Sequence, residues 1–114
     1  MTSKYNVLGI TDELDYCEVC GKRGLKRVVV LQNCETGEEI HAGCDCAGYL
    51  LNGKKTASNT RVTTEHAMIV ERARGYLVNG HTPEVVVSYI GRQGYPCDIK
   101  NGVIRIGTFA TINV

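Results

Sequence analysis

Tryptophan is absent from this chain of 114 residues, and phenylalanine occurs once. The remaining aromatics are six tyrosines, so any stacking or anchoring ring is expected to be a tyrosine. No apolar run approaches the roughly 18 residues that a membrane-spanning helix requires, so no membrane partner is expected. The opening Met1-Thr2-Ser3-Lys4-Tyr5-Asn6 has no apolar signal-peptide core, which makes the cytoplasm the expected location. An excess of one charge sign is also missing. The formal net charge is +1, which excludes a polycation that coats a nucleic-acid backbone. No internal repeat or low-complexity segment stands out.

What the chain does have is cysteine. There are six, and five fall between Cys17 and Cys46. In a reducing compartment such a cluster points to metal ligation rather than disulfides. Cys17-Glu18-Val19-Cys20-Gly21 suits a knuckle in which backbone N–H groups point at the thiolates and Gly21 takes a positive φ. About two dozen residues on stands His41-Ala42-Gly43-Cys44-Asp45-Cys46. Two soft-ligand clusters at this spacing are how a chain surrounds one tetrahedral, structural zinc ion.

Cys17, Cys20 and Cys46 are the first three expected ligands, because the first turn of a helix carries Cys46 beside the knuckle and favours a thiolate. Cys44 is taken as the fourth, with His41, at His-x4-Cys spacing, as the alternative. Cys34 belongs to a turn and is left out.

The local patterns give an α+β chain. A short apolar patch, Tyr5 to Ile10, leads into acidic residues, and Thr11 to Leu14 suits a brief helical turn. Leu25 to Gln32 is rich in β-branched residues and reads as a strand. Asn33 to Gly37 reads as a turn, and Glu38 to His41 as the return strand. Asp45 is placed as the N-cap of a short helix, Cys46 to Leu51, that ends at Asn52-Gly53. Knuckle, β-hairpin and short helix make a treble-clef layout over residues 1–53, counting the N-terminal extension.

Residues 54–61 are polar and aperiodic and read as a linker. Within 62–114, a helix is predicted from Thr63-Thr64-Glu65 to about Val78, with Ile69, Ala73, Tyr76 and Leu77 inward and Glu71, Arg72 and Arg74 exposed. Thr82-Pro83-Glu84 starts a second helix that runs to about Arg92. A hairpin follows, Cys97 to Lys100 and Val103 to Ile106, because Asn101-Gly102 satisfies a type I′ turn. Thr108 to Val114 adds an edge strand.

The first forty-odd of these residues also carry a family resemblance. Cys-x2-Cys-Gly, the basic strand from Leu25 to Leu31, Glu35-Thr36-Gly37-Glu38-Glu39, and Gly43-Cys44-Asp45-Cys46-Ala47-Gly48-Tyr49-Leu50-Leu51 together resemble small treble-clef zinc-finger proteins. Many of those are encoded by bacteriophages and their actinobacterial hosts. The resemblance covers residues 14–53 and implies the fold, the metal and, for a phage-encoded chain, the host cytoplasm. Cys46 matches the cysteine of that family's Gly-Ser-Asp-Cys-Ala-like segment. Cys44 stands where serine or threonine is common, which keeps His41 open as the fourth ligand.

Chemistry beyond structure finds little support. A thiolate-rich site with four protein ligands is closed and electron-rich, whereas catalytic zinc keeps an open position. The zinc-deaminase signature fails, since His66 is followed by Ala-Met and Pro96-Cys97 lacks a second cysteine. Cys97 with His66 or His81 is a weak nucleophile pair, and no small-molecule substrate is evident. The expected function is therefore a non-catalytic, zinc-stabilised module that binds a protein partner. The alternative is nucleic-acid binding through a basic rim, Lys22, Arg23, Lys26 and Arg27, joined by Lys54, Lys55 and Arg61. The second helix of 62–114, Pro83 to Arg92, offers only Ser88 and Arg92 to read base edges, which disfavours a helix-turn-helix.

Overall fold

The computed structural model describes residues 4–54 and 56–114. Tyr5–Thr11 (β1), Val28–Asn33 (β2) and Glu39–Ala42 (β3) form one antiparallel sheet in that order. Cys44–Asn52 (α1), Ala57–Val78 (α2) and Pro83–Arg92 (α3) follow. Cys97–Lys100 (β4), Val103–Ile106 (β5) and Ala110–Asn113 (β6) make a second antiparallel meander. The α+β class expected from the sequence is what these elements form.

β1 is a strand that the apolar patch alone did not reveal. Its register slips between Val7, opposite Leu31, and Gly9, opposite Val30, so Leu8 is an extra residue that breaks the period-two pattern. Gly9 is required at the bulge. A Cβ there would collide with the carboxylate of Glu71, whose Oε1 accepts from the Ile10 N–H at 3.2 Å. The helical turn expected at Thr11 to Leu14 is not formed. β1 runs through Thr11, and Asp12 and Glu13 bend away, with the Thr11 hydroxyl accepting from the Glu13 N–H at 3.1 Å.

The polar stretch read as a linker is largely helix. α2 begins at Ala57, capped by the Thr56 hydroxyl, which accepts from the Asn59 N–H at 3.1 Å. Asn59 then donates to the carbonyls of Gly48 (2.9 Å) and Lys54 (2.6 Å) and accepts from Asn52. Tertiary bonds, not apolar periodicity, therefore set this helix start. α3 forms as read, with Thr82 as N-cap and Pro83 at the first position. The β4–β5 hairpin also forms as read, with Asn101 at φ 53° and Gly102 at 74°.

One continuous core joins the parts. Val7, Val29 and Leu31 of the first sheet pack with Ala67, Val70 and Ala73 of α2, Val86 and Ile90 of α3, and Ile104 and Ile106 of the second sheet. Arg74, expected outside, is half-buried on α2. The two sheets are also stitched by hydrogen bonds. The Val7 N–H donates to the Phe109 carbonyl at 3.1 Å, and the Asn6 side-chain amide donates to the Thr111 carbonyl (3.1 Å) and accepts from its N–H (2.7 Å). No described helix is long and apolar enough to cross a membrane.

Candidate metal centre

The knuckle is built by two short-range bonds. The Cys17 N–H donates to the Lys22 carbonyl and the Gly21 N–H to the Cys17 carbonyl, both at 2.9 Å. Gly21 takes φ 76°, as the motif requires. β3 is tied to the knuckle by a reciprocal contact. The Glu18 N–H donates to the His41 carbonyl at 3.0 Å, and the His41 N–H donates to Glu18 Oε2 at 3.2 Å. The chain then turns at Gly43, where a Cβ would sit 3.2 Å from Leu25 Cδ1 and 3.9 Å from Cys17 Cβ. This close approach sets the start of α1 against the knuckle.

The result is a group of three thiols. The Sγ atoms of Cys17, Cys20 and Cys46 all lie within 4.8 Å of one another. Cys17 and Cys46 are buried and Cys20 is exposed. A Zn–S bond of about 2.3 Å puts tetrahedral sulfurs about 3.8 Å apart, so this donor set can close on one ion with a small contraction.

The electrostatics of the three thiols fit the same use. Burial pushes the Cys17 thiol up, but backbone N–H groups of Cys20, Gly43 and Val19 and the Cys20 thiol outweigh it and bring its pKa to about 7 from 9.0. For Cys46, burial is the largest effect, and its bonds to the Cys20 and Cys17 sulfurs and their charge add to it, raising its pKa to about 11. One thiolate is thus favoured and a second is opposed by the first. A divalent cation removes that opposition, because it stabilises every thiolate it binds.

The sulfur group contains neither Cys44 nor His41. Cys44 is the first residue of α1 and half-buried. Cys44 lines the cleft beside the three sulfurs, which His41 does not, but His41 carries the hydrogen bonding of a ligand. Its Nδ1 lies 3.2 Å from Glu18 Oε1, and its buried Nε2 has no hydrogen-bond partner among the described residues. An imidazole that gives one nitrogen to a carboxylate and leaves the other bare is the usual preparation for metal ligation. The ring is also held by Tyr16, edge-on at 4.6 Å between centroids. The Glu18 partnership was not anticipated from sequence, although Glu18 stands inside the Cys-x2-Cys motif.

Asp45, expected as the N-cap, lies instead in the first turn of α1, and Gly43 holds the cap position. The Asp45 carboxylate accepts from the Thr60 hydroxyl at 2.7 Å, which fastens α1 to α2. An open cleft of about 620 Å³ borders the sulfur group. Lys22, Lys26 and Arg27 line it, together with Thr56, Ala57 and Thr60 from the start of α2. The other expected basic residues stand elsewhere. The Arg23 guanidinium lies 5.7 Å from the Tyr16 ring centroid, Lys54 lines a separate cleft, and Arg61 is exposed on α2. Lys55 lies outside the described residues.

Cys34 is exposed in the β2–β3 turn. Cys97 opens β4, and burial followed by the Asp98 charge raises its pKa, away from the thiolate form. His66 stacks on Phe109 at 3.8 Å, and His81 packs edge-on against Tyr76 and Tyr89. Compared with known proteins, the chain matches no family profile, no curated protein and no solved structure.

Proposed function

We propose that the chain is a non-catalytic binding module of treble-clef type, braced by one structural zinc ion. The observation that supports this is the convergence of the Cys17, Cys20 and Cys46 sulfurs within 4.8 Å. Soft sulfur donors that can contract to tetrahedral spacing select zinc over hard cations. His41 is the fourth ligand in this reading, because a buried Nε2 without a partner otherwise costs about 1–3 kcal/mol and a metal relieves that cost. Four protein ligands leave no open position, so the ion holds the knuckle, β3 and α1 together and activates no water.

The module is a small accessory protein of phage or bacterial type in this reading. Its partner is a protein or a nucleic acid. Val19, 46% exposed within the knuckle, and the exposed Tyr16 suit a protein contact. The collection of Lys22, Lys26 and Arg27 on one cleft favours nucleic acid.

Cobalt substitution tests the site. Co(II) bound by the wild type is expected to give the visible absorption of a tetrahedral ion with intense thiolate charge-transfer bands. His41→Ala should weaken and shift the spectrum, and Cys44→Ser should leave it unchanged. An octahedral spectrum, or one that responds to Cys44→Ser alone, would overturn the ligand set.

A further inference from the structure

We infer that the cleft beside the metal centre binds the phosphodiester backbone of a nucleic acid, with Lys22, Lys26 and Arg27 as its phosphate contacts. This rests on the binding-module reading and names the ligand of its cleft. Three cations from the loop after the knuckle line the cleft. The first residues of two helices, α1 of 9 residues and α2 of 22 residues, line it as well. Each helix start brings the positive end of a macrodipole and N–H groups without intrahelical partners. The start of α1 receives no side-chain cap, and Thr56 caps α2. Three cations and two helix starts therefore share one space with the three sulfurs, whose charge a bound zinc ion offsets.

Two other groups qualify the site. The Asp45 carboxylate also lines the cleft, but Thr60 holds it by a hydrogen bond of 2.7 Å. Arg27 is shared, since its Nη1 lies 3.9 Å from Met68 Sδ and the residue also borders a pocket with Asp12, Glu13 and Glu71. At about 620 Å³ the cleft exceeds one phosphate group, which suits a run of backbone more than a free anion.

The zinc-loaded protein and a labelled single-stranded oligonucleotide of about 12 nucleotides, followed by fluorescence anisotropy, test this. Binding is expected at about 20 mM salt, with a slope of log K against log salt of about −2, as for three phosphate contacts on a single strand. Lys22→Glu with Lys26→Glu is expected to weaken binding about ten-fold or more, and Arg27→Gln to weaken it further. Arg23→Glu and Arg61→Glu, outside the cleft, should leave it within about two-fold. Inorganic phosphate should displace the oligonucleotide poorly, because it makes only part of the contacts.

Absence of binding at low salt by zinc-loaded protein overturns the inference and leaves the metal-braced module standing. Equal loss from the control variants overturns it in favour of a diffuse charged surface. Tight binding of inorganic phosphate without oligonucleotide binding overturns it in favour of a free anion. Cleft variants that lose zinc while still binding the oligonucleotide overturn it as well, because the cations would then only balance the thiolates. A wild type that takes up no zinc removes the module reading itself, a result that elemental analysis separates from all of these.

Discussion

At the residue scale, the decisive atoms are the three sulfurs of Cys17, Cys20 and Cys46, which lie within 4.8 Å of one another. Cys46 shows why they belong together, since its thiol is pushed up to about 11 by burial and by the sulfurs of Cys17 and Cys20. Cys46→Ser is expected to abolish metal uptake, whereas Cys34→Ser, in an exposed turn, should leave it unchanged. Metal content of the two purified variants checks this. Gly48 gives a second residue-level prediction. An added Cβ would sit 3.2 Å from Asn59 Nδ2 and 3.3 Å from Thr63 Oγ1 at the α1–α2 contact. Gly48→Ala is expected to cost about 1–3 kcal/mol in urea unfolding, with the metal retained.

His66 supplies the pH prediction. Burial lowers its pKa below the ordinary 6.5, with the Glu65 charge only partly offsetting that. As pH falls below about 6.5, the unfolded chain takes up a proton that the folded chain refuses, so stability falls until the depressed folded value is reached. His66→Phe removes this contribution. The stability of the wild type relative to that variant should therefore decline between about pH 7.5 and 5.5. A constant difference across that range would refute the assignment.

At the element scale, what could be read in the sequence depended on whether local or distant atoms set each boundary. Thr82-Pro83-Glu84 and Asn101-Gly102 carry their own stereochemistry, so α3 and the β4–β5 hairpin were legible. The Cys-x2-Cys-Gly knuckle was legible for the same reason. β1 was not, because the bulge at Leu8 and Gly9 breaks the alternation and Glu71, 61 residues away from Ile10, completes it. The first turn of α2 was read as linker because Asn59 and Thr60 are fixed there by side-chain bonds to Gly48, Lys54 and Asp45. The Glu18 contact of His41 was not legible because the two residues lie 23 positions apart.

The α2 start gives an element-scale prediction. Asn59→Ala removes two donors to carbonyls, at Gly48 and Lys54, and is expected to increase hydrogen exchange over α1 and the first turns of α2. Exchange confined to residue 59 itself would show that these bonds do not set the helix start.

At the scale of the whole molecule, the two sheets and α2 share one core that also takes in Cys17 and Cys46, while the three sulfurs themselves come from the knuckle and α1. Removing the metal should therefore have a graded effect. A strong chelator is expected to raise exchange in residues 17–25 and α1, with Ile104 and Ile112 in the second sheet remaining protected, since both are buried without help from the knuckle. The near-neutral charge of +1 also acquires a spatial sense, because Lys22 and Lys26 face one cleft, Asp12 and Glu13 border another, and Arg27 lines both.

The central claim is that Cys17, Cys20 and Cys46 hold a zinc ion. Elemental analysis of the purified wild type and of Cys17→Ser, run side by side, tests it most directly. One zinc per chain in the wild type and none in Cys17→Ser is the predicted result. A wild type that neither retains nor takes up zinc, or a Cys17→Ser chain that keeps it, would contradict the account.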